Sequence, residues 1–257
     1  MTQRKIVIGI ILLAFFQLVA CERNDVDSTN STDKIDTSQQ EGIFVAGLTI
    51  VQEGEPVLFA LENYLSPLDF QWKISPKQNV RVEKTNTVAE VYFPQSGKYT
   101  VTALDSISQD SVSLIVDVVI YEPGYNNIQI LHHFDADDIL SLTPITFADS
   151  TFHLEILAET KNSYKCNNNY LLFSSNKVHD TFVYNFLRVI SPAGCTTENA
   201  KSKRYIYTNE PIVDGKIYNL EITFNKKNYK GSFTRNGGKY QFTWPYDDGV
   251  IFTTKTL

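Results

Sequence analysis

The stretch IYNLEITFNKKNYKGSFTRNGGKYQFTW, residues 217–244, decides the fold class. Tyr218, Leu220, Ile222 and Phe224 alternate with polar residues, and Tyr240, Phe242 and Trp244 do the same. That two-residue period belongs to strands with one buried and one wet face. Asn225-Lys226-Lys227-Asn228 and Asn236-Gly237-Gly238 read as the turns between them. Asn-Gly is a strong hairpin signal, because both central residues of a type I′ turn need positive φ. The spacing therefore predicts three antiparallel strands, over Ile217 to Phe224, Tyr229 to Arg235 and Lys239 to Trp244.

Upstream, Thr181 to Ile190 is apolar at nearly every position, which predicts a central strand covered on both faces. Residues 126–257 are long enough to bury a core of their own and are expected to form a larger β-sandwich or jelly-roll-like unit. Tyr121-Glu122-Pro123-Gly124-Tyr125 marks its start, since Pro followed by Gly breaks a strand. Before it, residues 43–122 are short runs of Val, Ile, Leu, Phe and Tyr with turn residues every eight to twelve positions, closing on Ser111 to Ile120. That rhythm predicts a small sandwich. The whole chain is expected to be all-β.

Gly54-Glu55-Pro56-Val57 opens one strand of this first unit, Trp72 sits within Phe70-Gln71-Trp72-Lys73-Ile74, and Gly97 precedes Tyr99 and Val101. On these positions the segment resembles PKD-type and related Ig-like domains. The resemblance covers roughly a third of the chain, and Ser75-Pro76-Lys77 stands where the family has Gly-Asp-Gly. It implies an Ig-like sandwich with Trp72 in the core, used as a spacer or interaction domain and without catalysis.

The first residues carry a different message. Arg4 and Lys5, an apolar run from Ile6 to Phe16, and Leu18-Val19-Ala20-Cys21 follow in the order of a secretory signal. The apolar run is short of the about 20 residues that a transmembrane helix needs. The segment resembles the bacterial lipoprotein signal, which implies removal of residues 1–20, acylation of Cys21, and a chain tethered to a membrane and folded outside the cytoplasm. Residues 21–42 are polar and read as a flexible tether. Glu22, Asp25 and Asp27 are similar to the acidic surface-export tags of Bacteroidetes lipoproteins, although an ordinary periplasm-facing tether has the same composition. The expected place is the cell envelope, at the outer membrane, facing either the periplasm or the surface.

Charge narrows the partners. Removing residues 1–20 takes away Arg4 and Lys5 and no acid, moving the formal net charge from −6 to −8. An acidic chain is a poor match for nucleic acid, and the one basic cluster, Lys201, Lys203 and Arg204, reads as a solvated loop. With Cys21 acylated, Cys166 and Cys195 remain. In an oxidising compartment a disulfide is the favoured reading, stabilising by about 3 kcal/mol, with two buried thiols as the alternative.

Three clusters carry candidate chemistry. His132, His133, Asp135, Asp137 and Asp138 lie within seven residues, and His133 with the three aspartates is a candidate metal set. An acidic loop or helix start explains the aspartates equally, and the glycine of a calcium loop is absent. His179-Asp180 and His153-x-Glu155 are candidate acid-base pairs of a very common kind. Trp244, Tyr246, Asp247 and Asp248 set an aromatic pair beside two carboxylates, as a sugar site would. By alternation, however, Trp244 continues the buried face of Tyr240 and Phe242.

No nucleophile elbow, zinc-protease helix, P-loop or dinucleotide fingerprint occurs, and no cofactor is called for. The expectation is a binding or interaction module, held by lipid at Cys21, with a glycan or a partner envelope protein as its ligand. A hydrolase using carboxylates of the C-terminal unit, or a purely structural envelope component, stays open beside it.

Overall fold

The computed structural model describes residues 44–62, 70–120, 122, 128–145, 153–208 and 210–257. The expected signal peptide, Cys21 and the tether lie outside the described residues, as does most of the expected boundary around Pro123. Every regular element described is a β-strand, so the chain is all-β.

The described strands between Phe44 and Val119 form a two-sheet sandwich. Its strands are β1 (Phe44–Gly47), β2 (Ile50–Gln52), β3 (Pro56–Glu62), β4 (Phe70–Ser75), β5 (Arg81–Lys84), β6 (Val88–Tyr92), β7 (Gly97–Asp105) and β8 (Ser111–Val119). One sheet runs β1-β3-β6-β5 and the other β2-β8-β7-β4, which is the strand order of an immunoglobulin-type sandwich. Strict alternation builds it: in β4 Phe70, Trp72 and Ile74 are buried while Gln71, Lys73 and Ser75 are exposed. Trp72 fills the core as expected, and its indole N–H donates to the Thr85 carbonyl at 3.2 Å. The Tyr99 hydroxyl donates to the Gln95 carbonyl at 3.0 Å, pinning the turn into β7 in the manner of a tyrosine corner.

Ten further strands form one sheet. They are β9 (Ile130–His132), β10 (Leu140–Ile145), β11 (Glu155–Tyr164), β12 (Tyr170–Val178), β13 (Thr181–Ser191), β14 (Ala200–Tyr207), β15 (Ile217–Phe224), β16 (Lys227–Asn236), β17 (Lys239–Thr243) and β18 (Val250–Phe252). Their order is β17-β16-β15-β13-β12-β14-β11-β10-β18, with β9 pairing the end of β13. The sheet curls over one core, to which Leu142, Ile156, Leu171, Tyr184, Ile222, Phe233, Phe242 and Phe252 all contribute. Residues after β18 then close it against β17: Tyr240 and Leu257 exchange two backbone hydrogen bonds of 2.9 Å, and Phe242 N–H donates to Lys255 O at 2.8 Å. Closure leaves neither end of the sheet as a sticky edge.

Two details depart from the sequence reading. Both hairpin turns are two-residue turns with positive φ at both positions, Gly237-Gly238 at 57° and 82° and Asn225-Lys226 at 48° and 64°, so β16 starts two residues earlier than Tyr229. The basic cluster is no loop. Lys201 and Lys203 are exposed residues on β14 and both pair with Glu159, at 3.1 and 2.7 Å.

The sandwich and the large sheet belong to one compact unit. Leu172 of β12 and Ile190 of β13 lie in the same buried cluster as Val51, Val57, Leu61 and Val118 of the sandwich. On the opposite face, Leu171 and Val189 belong to the core of the large sheet. Two-sided cover is thus confined to the end of β13, whereas Thr181 to Phe186 alternates between buried and half-buried.

Cys166 and Cys195 form a disulfide, with Cα atoms 5.9 Å apart, between the turn after β11 and the loop after β13. Replacing both by serine is expected to cost about 3 kcal/mol through loop entropy. The check is the urea midpoint, which should fall; an unchanged midpoint would contradict a stabilising bridge.

Candidate functional site

The hairpin end that the sequence nominates is a packing feature. Trp244 is 3% exposed, its indole N–H donates to Val250 O at 2.8 Å, and Tyr246 and Phe252 meet it edge-on at 5.3 Å. Gly231 makes the room: a Cβ there would run into the Trp244 ring and stand 2.6 Å from the Thr243 carbonyl. The geometry therefore corrects the reading of Trp244 as a ligand contact, since an indole with no free face cannot stack on a sugar. Tyr246 is half-buried against the same core, its ring edge-on to Tyr229 at 5.0 Å and its hydroxyl accepting from Lys230 N–H at 3.2 Å. Asp247 and Asp248 are exposed in the turn to β18, where Asp248 O accepts from Val250 N–H.

The acidic stretch is likewise explained by its own hydrogen bonds. Asp138 is 5% exposed, and its carboxylate accepts from Ile139 N–H and Asn162 N–H at 2.9 Å each and from the Tyr164 hydroxyl at 2.6 Å. The Asn162 side-chain amide donates to Asp135 at 3.0 Å and to Asp137 at 3.2 Å. Burial, then the bond to Asp138, pushes the Tyr164 phenol well up. His133 is exposed and faces a cleft instead, and among the described residues no group of three His, Cys, Asp or Glu is placed to hold a metal ion. The candidate metal set His133, Asp135, Asp137 and Asp138 is thus corrected to a hydrogen-bonded turn, because its buried carboxylate already has three donors.

The paired histidines fare similarly. His179 is the tip of the β12–β13 hairpin, with φ of 54°, and Asp180 pairs with Lys216 at 2.6 Å, which holds its carboxyl below the usual range. His153 bonds the Thr208 carbonyl at 2.9 Å rather than Glu155, whose carboxyl is raised by burial while a Tyr207 hydrogen bond opposes. One contact was invisible in the sequence: His132 Nε2 lies 2.8 Å from the Ser191 hydroxyl. That hydroxyl donates to Lys165 O at 2.7 Å and is on a residue 1% exposed, so it is no available nucleophile.

What remains is a cleft at the junction of the sandwich and the large sheet, with a volume of about 350 Å³. Val51, Leu58, Ile128 and Ile130 supply apolar wall, and Glu55, Glu90, His133 and Arg188 supply charge or polarity. Gln129 builds the seam beside it by acting as a strand neighbour to β2. Its backbone N–H donates to Ile50 O at 3.1 Å, while its side-chain oxygen accepts from Thr49 N–H at 2.6 Å and Ile50 N–H at 3.0 Å. The cleft has the size of a small-ligand site at a module junction. Its residues come from four separate segments spread between Leu48 and Arg188, so no local sequence signal could have found it.

An ion pair between a buried carboxylate and a half-buried arginine lies at the same junction, outside the cleft. Glu62 of β3 is 2% exposed and accepts from Arg204 of β14 at 2.9 Å, while its other carboxylate oxygen is buried with no hydrogen-bond partner. Burial raises the Glu62 carboxyl from 4.5 to about 7 against the pull of Arg204. No protein-family model matches the chain, and no curated protein is significantly similar to it.

Proposed function

We propose that the chain is a lipid-anchored protein of the bacterial cell envelope, held at the outer membrane through acylated Cys21, that works as a binding module through its junction cleft. The observation that carries the binding reading is the cleft itself, an open concavity walled by both modules of one compact unit. A junction between two modules is a common place for a ligand site. The Cys166–Cys195 disulfide supports an oxidising, extracytoplasmic setting. The likeness of the sandwich to PKD-type domains fits the same role, since such modules act as spacers and interaction domains.

The described lining favours one of the two ligand classes. Among the described residues no Phe, Tyr or Trp lines the cleft, and such a ring is what a sugar's C–H face packs on best. A peptide segment of a partner envelope protein fits aliphatic walls with a charged rim better. Hydrolysis is the weaker reading, because the carboxylates that burial shifts upward, Glu62 and Glu155, are not among the cleft residues.

The test compares Leu58→Arg, which fills the cleft from its apolar wall, with Tyr246→Ala at the hairpin end, using a glycan array and pull-down from envelope extract. The reading expects a partner protein retained by wild type and Tyr246→Ala and lost by Leu58→Arg. Loss in Tyr246→Ala with Leu58→Arg unaffected would return the site to the hairpin.

A further inference from the structure

We propose that the junction cleft takes the C-terminal carboxylate of a short apolar peptide segment, with Arg188 as its anchor. The inference rests on the cleft being the binding site and adds the chemistry of its ligand. Arg188 stands out among the arginines described. Arg204 and Arg235 pair with Glu62 and Asp214, and Arg81 lies over the Tyr92 ring at 5.3 Å. Among the described residues Arg188 makes one hydrogen bond, from Nη1 to the Leu187 carbonyl at 2.7 Å, and has no carboxylate partner. A guanidinium carries five N–H donors, so most of its fork is unspent.

The backbone explains why this side chain enters the cleft. Within the β12–β13 pairing, Leu172 faces Arg188 and Phe173 faces Phe186, leaving Leu187 as the extra residue of a β-bulge. A bulge shifts the alternation and re-aims the side chains beside it, and bulges recur next to functional sites. Here the next residue on the same face, Ile190, goes into the shared core while Arg188 lines the cleft, and the bulged carbonyl itself holds the guanidinium.

Charge and size set the ligand. One planar fork matches one carboxylate bidentately. Glu55 and Glu90 line the same cleft, so a single negative charge seated directly on Arg188 is opposed far less than a polyanion such as a phosphorylated group. Val51, Leu58, Ile128 and Ile130 then receive aliphatic side chains of the last residues, and a volume of about 350 Å³ admits a pair of them.

The test titrates the full-length protein with N-acetyl-Leu-Leu, its C-terminal amide, and acetate, followed by calorimetry. The expected result is binding of the acid, with the amide at least about tenfold weaker and acetate weaker still. Arg188→Gln should bring the acid down to the level of the amide at an unchanged melting temperature, and Arg188→Lys should recover part of the loss. Equal binding of acid and amide, or no binding of either, would overturn the assignment without needing any variant. Acetate binding as well as the acid would overturn the peptide half. If the acid fails while an envelope partner is still lost by Leu58→Arg, the carboxylate assignment falls and the cleft stands.

Discussion

Replacing Arg204 by methionine is expected to destabilise the protein by about 3 kcal/mol at pH 8 and by much less at pH 5. The reason lies in Glu62, whose side chain is 3% exposed and whose carboxyl is raised to about 7 by burial. Its ordinary value is 4.5, so between pH 4.5 and 7 the folded chain holds a proton that the unfolded chain has released. Stability from this group is therefore greatest below pH 4.5 and is lost as pH rises to 7, a difference of about 3 kcal/mol over the window. At pH 8 the buried carboxylate is charged and Arg204 is its counter-ion, so removing Arg204 strands it. At pH 5 Glu62 is protonated and Arg204 contributes one hydrogen bond. Glu62→Gln should act in the opposite direction: it removes the charge to be desolvated and should stabilise by about 1 to 2 kcal/mol at pH 8 while flattening the pH dependence. Urea unfolding at both pH values checks this. Losses from Arg204→Met that are equal at pH 5 and pH 8 would contradict it.

The second large effect is expected at Gly231. Its Cα lies under the Trp244 indole, so Gly231→Val drives a branched side chain against that ring and the Thr243 carbonyl. The indole is held by its bond to the Val250 carbonyl and by the Tyr246 and Phe252 rings, so a cost of about 3 kcal/mol follows. Gly231→Ala should cost about half as much. Because the collision is with one ring, the cost should shrink when Trp244 is first replaced by leucine, a coupling that a double-mutant cycle measures. Additive losses would show that Trp244 is not what makes the glycine necessary.

Much of the fold was legible because strands report their period locally. Phe70, Trp72 and Ile74 alternate in sequence and alternate in burial. The turn at Gly237-Gly238 was readable from glycine, whereas Asn225-Lys226 was read too long because lysine is not a usual left-handed residue. Lys201 and Lys203 looked like loop since their partner Glu159 sits on another strand. Alternation correctly argued that Trp244 points inward, and Gly231 is the signal that would have settled it, had the facing position been known. Asp135, Asp137 and Asp138 looked like ligands because Asn162 and Tyr164, which satisfy them, lie on β11. The cleft and the Glu62–Arg204 pair exist only once the sandwich meets the large sheet, and sequence spacing carries no trace of that meeting.

Everything proposed for the protein's role starts from the lipid anchor at Cys21. Metabolic labelling with an alkyne palmitate analogue, followed by membrane fractionation of wild type and Cys21→Ser, tests this directly. The expected result is labelled wild-type protein in the outer-membrane fraction with the Cys166–Cys195 disulfide formed, and an unlabelled Cys21→Ser chain lost from that fraction. Unlabelled wild-type protein in the cytoplasm with both thiols reduced would contradict it.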